Sequence, residues 1–217
     1  MKATRSADEV ADFIRKLRVY DVLGQDDAGT WIAKTFPDLL YIRATGIVYG
    51  WQPTNKWLAE NIQSHGPLGE VYPDTQWATE GDTPAFLHVY PNGLHNPDDV
   101  SQGGWGGRFS AEKRTGIRGM ECMEGEDATY DPYLMYGDAE EGGETIARWK
   151  PAIENDFEAR MDWTITDQYA DANHHPVAIL NGDASRAMLE LSVQPDDVVT
   201  LDATGSTDPD EDTLSYH

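Results

Sequence analysis

The chain has 217 residues, 39 of them acidic and 16 basic, for a net charge of −23 with histidine neutral. Such a surface repels phosphate backbones, so nucleic acid is excluded as a partner, and high salt, divalent cations or a neutral ligand suit it. Hydrophobic residues at 39%, with 7 Trp and 10 Tyr, exclude a disordered chain, and the length accommodates one medium domain plus part of another. The single cysteine, Cys122, excludes an internal disulfide framework. No apolar run approaches the roughly 20 residues needed to cross a bilayer, so no membrane partner is expected. Met1 to Ser6 is not followed by an apolar segment, so no signal peptide is expected.

In chain order, Ser6 and Glu9 form a capping box, and Val10, Phe13, Ile14 and Leu17 recur at helical spacing. Arg18 to Leu23 is a short β-rich run. A second helix is expected from Ala28 to Thr35, ended by Phe36-Pro37, and Leu39 to Ile42 reads as a buried strand. Helix, strand, helix, strand argues a parallel α/β sheet with crossover connections. Ligands in such sheets sit at the carboxyl ends of the strands, and Asp26 and Asp27 fall just past one. They suit a metal or a sugar hydroxyl; the same residue types also suit a helix N-cap and a first-turn acid. Thr54 is expected to cap a helix from Asn55 to Gln63.

The stretch from His65 to Phe109 is dense in Gly and Pro and reads as loops that carry binding groups. Asp82, between Gly81 and Thr83-Pro84, presents a carboxylate from a fixed backbone, as a hard cation requires, and equally suits a helix N-cap. Trp105 has Gly103-Gly104 before it and Gly106-Gly107 after it. An uncrowded indole stacks on a flat sugar face, although a Trp plugging a core gap fits the same pattern. The candidate substrate-binding residues are Asp26, Asp27, Glu80, Trp105 and Arg108; Asp82 is the candidate metal ligand.

Glu121 to Gly143 is acidic and Gly-rich and reads as an irregular insertion. Glu144 to Trp163 is expected to be one core helix, with Pro151 in a first turn or at a kink. Residues 172–176 read as a linker, with His174 and His175 facing solvent because no partner ligand lies at a recognised spacing. Strand-like runs follow at Pro176–Leu180, Val198–Leu201 and Thr213–Tyr216, the opening of an all-β sandwich. Asp208, Asp210 and Asp212 alternate like calcium ligands but lack the EF-hand glycine, and read as a solvated turn. The expected division is a domain at 1–171, a linker at 172–176 and a β module at 177–217.

Several motifs together resemble one family. They are Arg18-Val19-Tyr20 with Gln25-Asp26-Asp27-Ala28-Gly29, Trp31-Ile32, Phe36-Pro37-Asp38-Leu39, Gly66-Pro67-Leu68-Gly69 with Tyr72-Pro73, Glu80-Gly81-Asp82-Thr83-Pro84, Gly103 to Arg108, and Asn155-Asp156-Phe157 with Arg160 to Trp163. This combination is similar to the cellulose-binding proteins that carry a nucleoside-hydrolase-like domain. The resemblance implies the C-terminal portion of a Rossmann-like parallel α/β sheet domain, then an incomplete immunoglobulin-like sandwich. It implies carbohydrate polymer or a nucleoside-like small molecule as partner, hydrolysis of N-glycosyl bonds where the member is active, and an extracellular or periplasmic location. It also implies calcium, with Asp82 looking like the later metal-binding aspartate of nucleoside hydrolases. Their N-terminal aspartate run has no counterpart here, so the chain reads as part of a longer protein, inactive by itself.

Overall fold

The computed structural model describes residues 4–22, 27–76, 80–114 and 133–216. The chain divides into two compact units. The first comprises Met1–Trp51, Glu80–Tyr90 and Pro97–Arg148; the second comprises Gln52–Thr79, Pro91–Asn96 and Trp149–His217.

The first unit is a mixed α/β structure. Helix α1 (Ala7–Ile14) starts at the expected capping box, with the Ser6 side chain accepting from the Glu9 amide and Glu9 accepting from the Ser6 amide. Such a cap is worth about 1 kcal/mol. Val10 and Ile14, one turn apart, are its buried residues. Strand β1 (Val19–Val22), helix α2 (Asp27–Thr35) and strand β2 (Tyr41–Ala44) follow in the expected order. β1 and β2 pair in parallel, with Asp21 opposite Arg43. β2 begins two residues later than expected, because Leu39 still closes a turn onto the Phe36 carbonyl. After a loop come helix α5 (Thr83–Val89), strand β3 (Phe109–Arg114), strand β4 (Tyr133–Asp138) and the short helix α6 (Glu144–Ala147).

The sheet order is β1-β2-β4-β3, with β4 parallel to β2 and antiparallel to β3. Residues 133–138 therefore correct the expected irregular insertion, while 139–143 are irregular as expected: β4 is an inner strand, and the run Tyr133-Leu134-Met135-Tyr136 supplies its β-forming residues. Cys122 and the rest of that expected insertion, 121–132, lie outside the described residues. Successive side chains alternate across the sheet. Val19 and Tyr41 meet Ala33 and Ile32 of α2 on one face. Tyr20 points to the other face, where it meets His88 of α5 and Phe109.

On the α2 face lies a buried polar trio. Arg43 is fully buried and its Nη2 is 2.7 Å from Asp21 Oδ2. The Tyr41 hydroxyl donates to the same carboxylate. Arg43 Nη2 also donates to the Tyr41 oxygen at 3.2 Å. Burial is the main cause holding the Tyr41 phenol above its ordinary value.

The second unit contains α3 (Asn55–Asn61), α4 (Gly66–Glu70) and α7 (Lys150–Asp162). Thr54 caps α3 as expected, accepting from the Trp57 amide. Leu58, Ile62 and Met161 form its core with Trp57, Tyr72 and Phe157 packed against them. The single helix expected over 144–163 is two, broken at Arg148-Trp149, with Pro151 in the first turn of α7. Proline lacks the amide a continuous helix would need there, and its ring would meet the carbonyl of Ala147.

Beyond α7 the expectations of a linker and of free histidines need correction. His175 Nε2 contacts Asp156 of α7, which also accepts from Arg160 at 2.8 Å. The His174 amide donates to Asp210 at 2.6 Å, and its ring nitrogen lies 3.1 Å from the same carboxylate. The His174 ring is stacked on Tyr169 and on Trp163, whose indole N–H donates to the Asn173 carbonyl. The segment is fastened to α7, not strung between modules. The turn reading of 208–212 agrees: Asp208 accepts from the amides of Asp210 and Asp212.

The three strand-like runs after 176 do not form a ladder among the described residues; isolated bridges join Val177 to Thr207 and Leu180 to Asp183. The Val177 and Leu180 amides donate to the Thr207 and Asp183 carbonyls, and the Ile179 amide to the Ser206 hydroxyl, so no run carries a continuous ladder. A strand exists only where a neighbouring backbone meets it. No helix among the described residues is long and apolar enough to cross a membrane.

Candidate functional site

The long Gly- and Pro-rich stretch is not a single element. Its parts fall in both units, and it contains α4 and α5. Glu80, Asp82, Trp105 and Arg108 all fall in the first unit.

The glycines around Trp105 serve close packing. A Cβ on Gly106 would stand 2.5 Å from the backbone N and Cα of His88, and Gly107, at φ 100°, lies against Ile47. The Tyr20 hydroxyl donates to the Gly106 carbonyl at 3.0 Å. Burial, helped by the Asp138 carboxylate, holds the Tyr20 phenol well above its ordinary value. This packing turns Trp105 inward. Only 9% of it is exposed, and its indole stacks on Tyr90 at 5.7 Å and 27°. The uncrowded indole expected from the flanking glycines is therefore corrected: the glycines admit neighbouring backbone, and the ring fills a gap.

Trp105 instead backs a file of rings that reaches solvent. Phe86 and Tyr90, one turn apart along α5, have centroids 5.9 Å apart, and Phe86 is 58% exposed. Phe86 has no role among the sequence-based expectations. The i, i+4 spacing of Phe86 and Tyr90 was the available signal.

Asp82 immediately precedes α5 and is exposed, and its side chain makes no capping bond. Glu80 holds the Thr83 hydroxyl instead. Burial raises the Glu80 carboxyl above its ordinary value, and the Thr83 hydroxyl partly opposes that. Arg108 forms a two-oxygen pair with Glu141, and its amide donates to Thr145 at 3.3 Å. At the carboxyl end of β4, Asp138 accepts from the Thr45 amide, the Thr45 hydroxyl and the Ile47 amide at 3.0, 2.7 and 3.0 Å. Sequence reading passed over Asp138.

Asp26 lies outside the described residues, as does the side chain of Asp27. Among the described residues no group of three or more His, Cys, Asp or Glu could hold a metal ion. Asp82 thus has no such ligand set around it among the described residues.

A mostly parallel four-stranded sheet with a helical crossover defines a mixed α/β protein. The family described as cellulose-binding Sde182, nucleoside hydrolase-like domain, matches residues 1–109, half of the chain, and the chain belongs to that family. A solved structure of a nucleoside hydrolase-related protein from Saccharophagus degradans, associated with carbohydrate metabolism, is 57% identical and superposes with a TM-score of 0.85. The match covers 98% of this chain and 50% of that one, so this chain spans about half the length of that relative. No curated protein matches significantly.

Proposed function

We propose that this chain is the part of a nucleoside-hydrolase-like scaffold that meets a neutral carbohydrate polymer, through the aromatic file Phe86–Tyr90–Trp105. The observation that carries the reading is this file: an exposed ring, a half-buried ring and a buried indole, in contact in sequence. Flat rings bury the apolar face of a sugar at little conformational cost. A chain of net charge −23 tolerates an uncharged polymer where it would repel a polyanion. The family's cellulose-binding description supports the same class of partner. Retention on insoluble cellulose tests it. Phe86→Ala with Tyr90→Ala should release a protein that the wild type keeps on the solid, with the fold checked by circular dichroism. Equal retention by wild type and double variant removes the proposal.

Glu80 favours a second reading, N-glycosyl hydrolysis. A carboxyl whose proton affinity is raised by burial suits a proton donor to a leaving group better than an ordinary one. Turnover of a nitrophenyl riboside that is lost in Glu80→Gln would support it; no turnover in the wild-type chain counts against it.

Two finer parts belong to this reading. Residues 177–217 are taken as the opening of an immunoglobulin-like module, supported by the exposed alternating residues Leu189, Leu191 and Val193. The protein is taken to work outside the cytoplasm, where the polymer is.

A further inference from the structure

We infer that Tyr169, in the second unit, is a separate stacking platform for a neutral glucan. The inference rests on the carbohydrate reading above, but on different residues. Tyr169 opens a short 3-10 turn (Tyr169–Asp171) just beyond α7. Its ring lies on the His174 imidazole at 3.6 Å and 7°. It is nevertheless 62% exposed. With one face covered at van der Waals distance, that exposure comes from the opposite face and the ring edge.

The ring is held from behind. The imidazole beneath it stacks on Trp163 at 5.8 Å and 16°, and is fixed by Asp210 through both its backbone amide and its ring nitrogen. Trp163 is in turn fixed by its indole N–H to the Asn173 carbonyl and by the Arg160 guanidinium 5.4 Å from its ring. An exposed aromatic ring usually loses rotamer freedom on binding; this one has already lost it on folding, so little is left to lose when a ligand docks.

The polar surroundings select the ligand. Gln168, Asp167 and Asp171, the sequence neighbours of Tyr169, are exposed, and their side chains bond locally, Gln168 to Asp167 and Thr166 to Asp171. Carboxylates and an amide around an aromatic face accept from sugar hydroxyls, and the carboxylates repel anions. A pyranose face with its equatorial hydroxyls satisfies both the ring and its rim. Sequence reading singled out the two histidines of this cluster as solvent-facing; their work is to hold the platform rigid.

Isothermal titration of the whole chain with cellohexaose tests the inference, alongside retention on insoluble cellulose. Tyr169→Ala should weaken cellohexaose binding about tenfold, the loss typical of a central aromatic anchor. Tyr169→Phe, which keeps the ring, should bind as the wild type does and guards against a folding artefact. His174→Ala, which keeps Tyr169 but removes its support, should fall between them. Unchanged affinity in Tyr169→Ala overturns the inference, as does failure of the wild type to bind at all. If Phe86→Ala with Tyr90→Ala loses binding while Tyr169→Ala does not, this inference fails and the first-unit reading stands. The opposite pattern fells the first-unit reading and leaves the Tyr169 platform.

Discussion

Gly106 lies directly against the backbone of His88, so close that a β-carbon on it would sit 2.5 Å from both the His88 nitrogen and its α-carbon. The neighbour is main chain inside α5 and cannot swing away. Gly106→Ala should therefore destabilise the protein by roughly 3 kcal/mol, the upper range for overpacking. Thermal melting should show a midpoint lower by about 6–12 °C. A midpoint within error of the wild type would mean that the loop and α5 are not in contact.

The Asp21–Arg43 pair gives a second expectation. Arg43 is fully buried and the Asp21 side chain is 15% exposed, so neither charge is well solvated. Removing one partner of such a pair costs about 3–5 kcal/mol, because the other is left uncompensated. Asp21→Asn and Arg43→Met should each show this loss in urea unfolding. The double variant should lose less than the sum of the two. Strict additivity would argue that the two side chains do not interact.

Glu80 makes stability depend on pH in a stated direction. Burial raises its folded value above the ordinary 4.5. The folded state therefore holds the proton more tightly than the unfolded state. The stability this contributes is present below the ordinary value and is lost as pH rises through the folded value. Glu80→Gln removes the effect. The stability difference between wild type and Glu80→Gln should shift against the wild type as pH rises above the ordinary value of 4.5. A difference that stays constant across that range rejects the buried-carboxyl account.

The fastening beyond α7 is open to proteolysis. Asp210→Ala removes the acceptor for both the amide and the ring of His174. Cleavage between Ala172 and Val177 by a non-specific protease should become faster, while cuts elsewhere keep their rate. Equal cleavage in wild type and variant would show that the segment behaves as the free linker its composition suggests.

Much of the first unit was legible because its signals are local. The Ser6–Glu9 box, the Thr54 cap, Pro37 as a helix stop and the β1-α2-β2 order each depend on a few adjacent residues. β4 was missed because its strand-forming run directly follows an acidic, Gly-containing stretch, and its place between β2 and β3 is set by distant partners. Trp105 stayed open between a sugar-facing indole and a core plug because flanking glycines announce missing side chains without saying what fills the space; here it is the His88 backbone, and the ring is the plug. The histidine pair was misjudged for a related reason. His175 meets Asp156 across 19 residues and His174 meets Asp210 across 36, separations that no local pattern reports.

The Asp21–Arg43 contact has one more effect, on which fold the chain can reach. The two residues face each other across the β1–β2 ladder. Sliding either strand by a single position would turn one of them to the opposite face, leaving a guanidinium or a carboxylate among apolar side chains with no counter-ion. A sheet zipped wrongly would thus be penalised heavily, whereas Val, Ile and Ala alone would let neighbouring alignments compete on nearly equal terms. The trio acts as a keyway that admits one alignment of the two strands.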